Sequence, residues 1–338
     1  MNVNTKYGLK ELDLESRLGA EGTESNDRTI PVIDLGDFEN RKEEITEQLW
    51  DAAVNYGFFQ LSGHGFSRED VNQAFQWAEK FFALPGDIKA QYPLRSTTNV
   101  GWEYMGQVRP STRLADQKES YQITLPKMEG MWPTEEELPG FRKFMLDFEH
   151  RSWSLGMQVL SCFANRLGFP GDFFIKAHDP GSDTYKSTLR LLHYFAQEPG
   201  KEIAKGSWRA GAHTDFDCLT LLFQKDGQGG LQVCPGREAE SGSWTPVIPS
   251  LDLVTCNIGD MLMRWSDDEL RSTLHRVRMP SPDELTRSRY SMAFFCQANC
   301  EQVIQGPKKK YEPISAEDYL NQRISANFAA LQESGKEK

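Results

Sequence analysis

Positive charge, paired cysteines and long apolar runs are scarce in this 338-residue chain, and each shortage excludes something. Lysine and arginine number 38 against 49 aspartates and glutamates, a net charge of −11 that argues against a nucleic-acid or anionic-membrane surface. The basic run Lys308-Lys309-Lys310 is short and reads as a solvated turn. Six cysteines (Cys162, Cys218, Cys234, Cys256, Cys296 and Cys300) are scattered from the middle of the chain onward, and none forms a Cys-x-x-Cys pair. No stretch, the polar Met1–Arg17 opening included, is apolar for long enough to be an export signal or a membrane span. Free thiols in a reducing compartment are therefore expected, in a soluble cytoplasmic protein with no nucleic-acid or membrane partner.

What is present is globular: 38% hydrophobic, 26% charged and 11% aromatic residues, in a chain long enough for two domains or one large one. Residues 1–29 carry no apolar periodicity and read as a loosely ordered polar arm. Ile45, Leu49, Ala52, Ala53 and Tyr56 repeat at helical spacing before Gly57, and Val71, Ala74, Phe75, Ala78, Phe81 and Phe82 mark a second amphipathic helix stopped by Pro85. A third helical region is expected from about Thr134 to Leu167. After about Thr184 short β-prone runs follow one another: Leu189–Phe195, Leu219–Phe223, Leu231–Cys234, Leu253–Ile258, Met261–Trp265, Leu274–Arg278 and Tyr290–Gln297. Helices cluster early and strands late, which predicts an α+β fold with a double-stranded β-helix, or jelly roll, flanked by N-terminal and central helices. The expected divisions are 1–29, 30–140, 141–183 for connecting helices, 184–300 for the jelly roll and 301–338 for a helical extension.

Of six histidines only His213 has a carboxylate two residues on, in Gly211-Ala212-His213-Thr214-Asp215. Residues i and i+2 of a strand share a face, so His213 and Asp215 can converge on one ion. His275, 60 positions beyond Asp215 on a later predicted strand, is the candidate third ligand. Two imidazoles and one carboxylate on one side of an octahedral metal leave three adjacent positions open, the facial triad of non-haem Fe(II) oxygenases. Arg289 and Ser291, in Arg289-Tyr290-Ser291, share a strand face 14 and 16 positions further on. A buried arginine requires an anion, and its planar fork suits a carboxylate. Two further histidines are assigned structural roles, His64 in a turn and His193 beside an inner strand, and Asn257-Ile258-Gly259-Asp260 is expected to form a tight turn without chemistry.

In this order, His213-Thr214-Asp215, Asn257-Ile258-Gly259-Asp260, His275-Arg276-Val277 and Arg289-Tyr290-Ser291 resemble the Fe(II)/2-oxoglutarate-dependent dioxygenases of the isopenicillin-N-synthase-like family. Phe58-Phe59, Gly63-His64-Gly65 and Lys118-Glu119-Ser120-Tyr121 look like that family's N-terminal region, so the resemblance runs from about Thr29 to Asn299. It implies His213, Asp215 and His275 as iron ligands and no further catalytic side chain. Arg289 and Ser291 would hold the distal carboxylate of 2-oxoglutarate, and Tyr194 would donate to that cosubstrate. Phe195 stands where a proline is common in the family. The implied chemistry converts 2-oxoglutarate and O₂ to succinate and CO₂ while oxidising a C–H bond of a small-molecule substrate.

Within the family, Leu189–Tyr194, Leu219–Gln224, Gly229–Val233 and Arg264-Trp265-Ser266 resemble fungal thymine dioxygenases and fungal natural-product dioxygenases. The resemblance implies a substrate pocket formed by Arg190, Phe216 and Phe295. Phe216 replaces a tyrosine of the thymine enzymes, and Ser187 stands where an asparagine could read a pyrimidine edge. Those differences favour a different aromatic or heterocyclic substrate, one of fungal natural-product biosynthesis, over thymine or another pyrimidine. A 2-oxoglutarate-independent iron oxidase and a non-catalytic binding module are the competing classes.

Overall fold

The computed structural model describes residues 23–25, 28–107, 114–197, 207–234, 243–281, 284 and 286–333. Two sheets and a helical layer make up the architecture. The larger sheet has eight strands: β2 (Val32–Asp34), β3 (Phe58–Ser62), β4 (Gly101–Tyr104), β5 (Lys118–Ile123), β6 (Thr188–Tyr194), β8 (Leu219–Gln224), β11 (Val254–Ile258) and β13 (Arg289–Cys296). Their spatial order is β2-β3-β11-β8-β13-β6-β5-β4. The smaller sheet runs β1-β10-β9-β12-β7, from β1 (Thr23–Glu24), β7 (Ala210–His213), β9 (Leu231–Val233), β10 (Ser243–Pro246) and β12 (His275–Val277). Apart from the parallel pairs β1·β10 and β2·β3, neighbouring strands in both sheets are antiparallel. A short hairpin of β14 (Val303–Ile304) and β15 (Ile314–Ser315) follows.

The sheets close on each other through Phe58, Leu192, Tyr194 and Ala293 from the larger and Ala210, Leu231, Val233 and Val277 from the smaller. This is the expected jelly roll, and the inward row of each strand is set by the two-residue period of its side chains. The outer face of the larger sheet packs on α1 (Phe38–Asn55), α2 (Arg68–Phe82) and α4 (Phe141–Arg166), and short helices α3 (Gly86–Lys89), α5 (Phe173–Ala177) and α6 (Asp260–Trp265) fill between. The last helix is α7 (Ala316–Glu333).

Local chemistry explains the helices. In α1, Ile45, Leu49, Ala52 and Ala53 form the buried stripe, and Gly57 ends it at φ 71, where a Cβ would lie 2.3 Å from the Arg271 carbonyl oxygen. A reciprocal Ser67–Asp70 capping box starts α2. The third helix is shorter than its periodicity predicts. Thr134 and Glu137 cap a separate turn, Thr134 N donating to Glu137 Oε2 at 2.8 Å, and Gly140 at φ 81 breaks the path before α4 begins at Phe141.

Two expectations are corrected. Met261–Trp265 belongs to helix α6 and is no strand: Met261, Leu262 and Trp265 recur at i, i+1 and i+4, and six residues are too few for period alone to decide. Lys308-Lys309-Lys310 is exposed in a turn, as expected, and Lys308 and Lys310 are ion-paired there. The Asp267 carboxylate accepts both backbone amides, while their ammonium groups meet Glu269 and Asp268. Residues 1–22, 26 and 27 of the expected arm lie outside the described residues, but Thr23–Glu24 pairs with β10 as an edge strand. All six cysteines are free, and no described helix is long and apolar enough to cross a membrane.

Candidate metal centre and cosubstrate pocket

His213 ends β7 and His275 opens β12, and the two strands pair so that these residues stand directly opposite. Their rings lie 4.3 Å apart, centroid to centroid. Asp215 Oδ1 is 3.8 Å from His213 Nε2 and 3.7 Å from His275 Nε2. One potential ligand atom from each of the three thus falls within 4.8 Å of the other two. His213 Nδ1 lies 2.7 Å from the Gly211 carbonyl oxygen and His275 Nδ1 3.3 Å from that of Thr273. Carbonyls only accept, so each Nδ1 carries a proton and each Nε2 faces Asp215. Two imidazoles and a carboxylate converging this way fit a hexacoordinate Fe(II).

The route by which Asp215 arrives differs from the expectation of strand alternation, because β7 stops at His213. Asp215 lies on a loop held by the start of α6: Asp260 N donates to Asp215 O at 2.8 Å and Met261 N to Asp217 O at 3.1 Å. Gly259 is obligatory there, since a Cβ would sit 2.1 Å from the Asp217 carbonyl oxygen. Asn257 was assigned no chemistry from sequence, yet its Nδ2 donates to Asp215 Oδ2 at 2.8 Å, beside Thr220 Oγ1 at 2.7 Å. Both donors occupy Oδ2, which leaves Oδ1 turned to the imidazoles. Burial, and then the charge of Asp215, push the neighbouring Asp217 carboxyl well above the usual range. Phe58, from the N-terminal part of the chain, packs edge-on against His275 at 5.4 Å.

Arg289 is 2% exposed, at the start of β13. Its Nε donates to the carbonyls of Gln228 and Gly229 at 3.1 and 3.0 Å, its Nη1 to Ser291 Oγ at 3.3 Å, and its guanidinium lies 4.8 Å from the Tyr194 ring. Tyr194 is its cross-strand neighbour on β6. Among the described residues no carboxylate pairs with Arg289, and burial lowers its pKa. A second guanidinium escaped the sequence analysis altogether. Arg209, 3% exposed, donates from Nη2 to Arg287 O at 3.1 Å, and its buried Nε meets no acceptor among the described residues. Burial, and then repulsion from Arg289, bring its pKa down to about 10. No signal in a lone Trp208-Arg209 pair marks it for this place.

On the other side, Arg190 lies over Phe295 at 5.3 Å, so two of the three predicted substrate residues touch. The third, Phe216, is capped by Arg323 of α7 at 4.7 Å, a residue the sequence did not single out. Ser187 is fully buried, bonded to the backbone of Gln297 through both its donor and acceptor capacity at 3.2 Å, and so is taken up within the structure. His193 bonds Glu119 at 2.8 Å and Ser288 at 2.9 Å, apart from the triad, and His64 holds a turn through Phe66 N.

Comparison with known proteins agrees with this geometry. Residues 30–139 match the non-haem dioxygenase in morphine synthesis N-terminal family, and residues 185–298 match the 2OG-Fe(II) oxygenase superfamily. The chain is 35% identical to the proline hydroxylase buaE of Petromyces alliaceus over 284 residues, 79% of this chain and 86% of that one. It is 33% identical to the 2-oxoglutarate-dependent dioxygenase frbA of Dothideomycetidae sp. over 303 residues, 82% and 88% of the two. Its fold is similar to that of a full-length Neurospora crassa protein crystallised with alpha-KG and thymine, at a TM-score of 0.78 and 31% identity, covering 90% of this chain and 99% of that one. With likeness along most of its length and two imidazoles facing one carboxylate, the chain belongs to the 2OG-Fe(II) oxygenase superfamily and is an Fe(II)- and 2-oxoglutarate-dependent oxygenase.

Proposed function

We propose that the protein oxidises a small aromatic or heterocyclic molecule in fungal natural-product biosynthesis. In this assignment His213, Asp215 and His275 hold Fe(II), and Arg289, Ser291 and Tyr194 hold 2-oxoglutarate. The observation that carries it is the buried Arg289, which has hydrogen-bond acceptors but, among the described residues, no carboxylate, in the same jelly roll as an intact triad. A dicarboxylate that reaches the metal with its keto acid end supplies the missing anion with its other end.

Bound iron with 2-oxoglutarate and O₂ supplies the oxidative chemistry, forming succinate and CO₂ and oxidising the substrate. The protein's share is ligation, orientation and exclusion of water. The carbonyls of Gly211 and Thr273 keep the imidazoles in one tautomer, and Asn257 and Thr220 keep Asp215 Oδ1 turned inward. Gln228 and Gly229 aim Arg289, and Arg209 adds a second positive charge in that part of the fold. Arg190 over Phe295 offers a cationic and an aromatic surface to the substrate, with Phe216 on the metal-bearing loop.

The test is to measure succinate formation from 2-oxoglutarate with Fe(II) against small-molecule pools that include thymine, free proline and aromatic heterocycles. Stimulation by an aromatic or heterocyclic compound other than a pyrimidine is the expected result. Stimulation by thymine or by proline alone would replace the proposed substrate class.

A further inference from the structure

Arg323 lies on α7, 48 positions beyond His275, yet its side chain is fully buried against the loop that carries Asp215. Its Nη2 forms an ion pair with Asp260 Oδ2, itself fully buried, and donates to Thr214 Oγ1 at 3.2 Å. Thr214 Oγ1 in turn donates to Asp260 Oδ2 at 3.0 Å, which closes a three-membered polar cluster. Asp260 is the residue whose amide holds the Asp215 carbonyl, and the face of the guanidinium covers Phe216 at 4.7 Å. One side chain therefore touches the residues on both sides of Asp215 and the residue that anchors its backbone.

The rest of α7 is held independently. Ala316 and Tyr319 are 1% and 2% exposed, and with Arg323 they fall at i, i+3 and i+7 on one helical face. Ala316 N also donates to Gln302 O at 2.8 Å, and Tyr319 lies 5.7 Å from the Arg264 guanidinium. The helix thus has its own apolar seat, and Arg323 extends from that seat to the metal-bearing loop. Without its cation the buried Asp260 carboxylate would be left with Thr214 alone, and the cluster would have to rearrange to solvate it. That rearrangement reaches Asp215 through the 2.8 Å amide bond.

We propose that Arg323 is a positioning residue of the metal centre: it neutralises Asp260 and pins Thr214, Asp215 and Phe216, so that the C-terminal helix completes a site whose ligands all precede it. The inference rests on the assignment of His213, Asp215 and His275 as iron ligands. Thr214, Asp260 and Arg323 act only through the position of Asp215, since none of them is itself a ligand.

The experiment is anaerobic Fe(II) titration of the full chain by competition with a coloured chelator, followed by addition of 2-oxoglutarate to read the visible charge-transfer band of the ternary complex. It is run on the parent, Arg323→Met and Arg323→Lys, below the melting temperature of each apo protein. Losing such a support of a ligand typically weakens metal affinity roughly 10- to 100-fold, which is the expected result for Arg323→Met. Arg323→Lys, which keeps the charge on Asp260 without the planar fork, should recover most of that loss. If Arg323→Met does not fold, Thr214→Val carries the test by removing the hydroxyl with little change of shape, and weakened Fe(II) binding is again expected. Parent-like Fe(II) affinity and an unaltered band in these variants, with only a lower melting temperature, would overturn the inference. A parent that itself gives no band with Fe(II) and 2-oxoglutarate would overturn the ligand assignment, and the inference with it.

Discussion

At His213, Asp215 and His275 the side chains present three donor atoms within 4.8 Å of one another, on loops and strand ends that the core already holds. Replacing any one by Ala should therefore abolish Fe(II)-dependent succinate formation while the far-ultraviolet circular dichroism stays that of the parent. Asp215→Ala removes the only anion of the donor set and should weaken Fe(II) binding most. Arg289 gives the second residue-level prediction. Met in its place keeps the stem but not the charge or fork, and breaking a buried ion pair costs about 3–5 kcal/mol, or roughly two to three and a half decades in affinity. The KM for 2-oxoglutarate should rise by that order with Fe(II) affinity little changed, and a parent-like KM would assign the clamp to another cation, Arg209 first. The triad was legible because metal chemistry restricts which side chains can serve, and Arg289 was singled out because a buried guanidinium requires an anion. Asn257 was visible in the sequence but misjudged, since nothing in a strand-ending Asn shows whose carboxylate it will meet.

Helix α4 carries a titratable group that the chemistry does not use. Glu149 is buried, accepts Tyr185 Oη at 2.8 Å, and burial raises its pKa to about 7. The folded protein therefore holds a proton that the unfolded chain, at an ordinary carboxyl pKa of 4.5, gives up. The stability this provides is fully present below about pH 4.5 and is lost as the pH rises through about 7, amounting to roughly 3 kcal/mol. Glu149→Gln should remove that part of the pH dependence, so its melting temperature should gain on the parent between pH 5 and 8. A constant difference between the two proteins across that range would show that Glu149 is ionised throughout. Elements long enough to show a period, such as α1 and α2, were readable from spacing alone, and α6 was not, because six residues satisfy a strand and a helix alike.

Across the whole molecule, the larger sheet interleaves early and late strands. β3 pairs with β11 and β5 with β6, so residues from before 124 lie on both sides of the strands that carry Thr220, Arg289 and Tyr194. Residues 184–300 expressed alone would expose two edges of that sheet and the outer face now covered by α1, α2 and α4. Such a fragment should show rapid amide exchange throughout and bind no Fe(II). Protected amides in β8 and β13 of the isolated fragment would show that the jelly roll stands without its N-terminal strands.

The sequence by itself determined the metal chemistry: His-x-Asp with a later His restricts the metal before any coordinates exist, because few side chains bind Fe(II), and an Arg-x-Ser on one strand face nominated the carboxylate-binding residues. It also determined the class of fold, through the shift from helical to alternating spacing near residue 184. Tertiary structure alone decided which groups support that chemistry. Asp260, Thr214 and Arg323 are brought into one buried cluster from three distant segments, and Arg209 is buried without an anion for its Nε. A single arginine in a strand or helix carries no local mark of burial; only the closing of the two sheets and the seating of α7 remove its water and make its position matter.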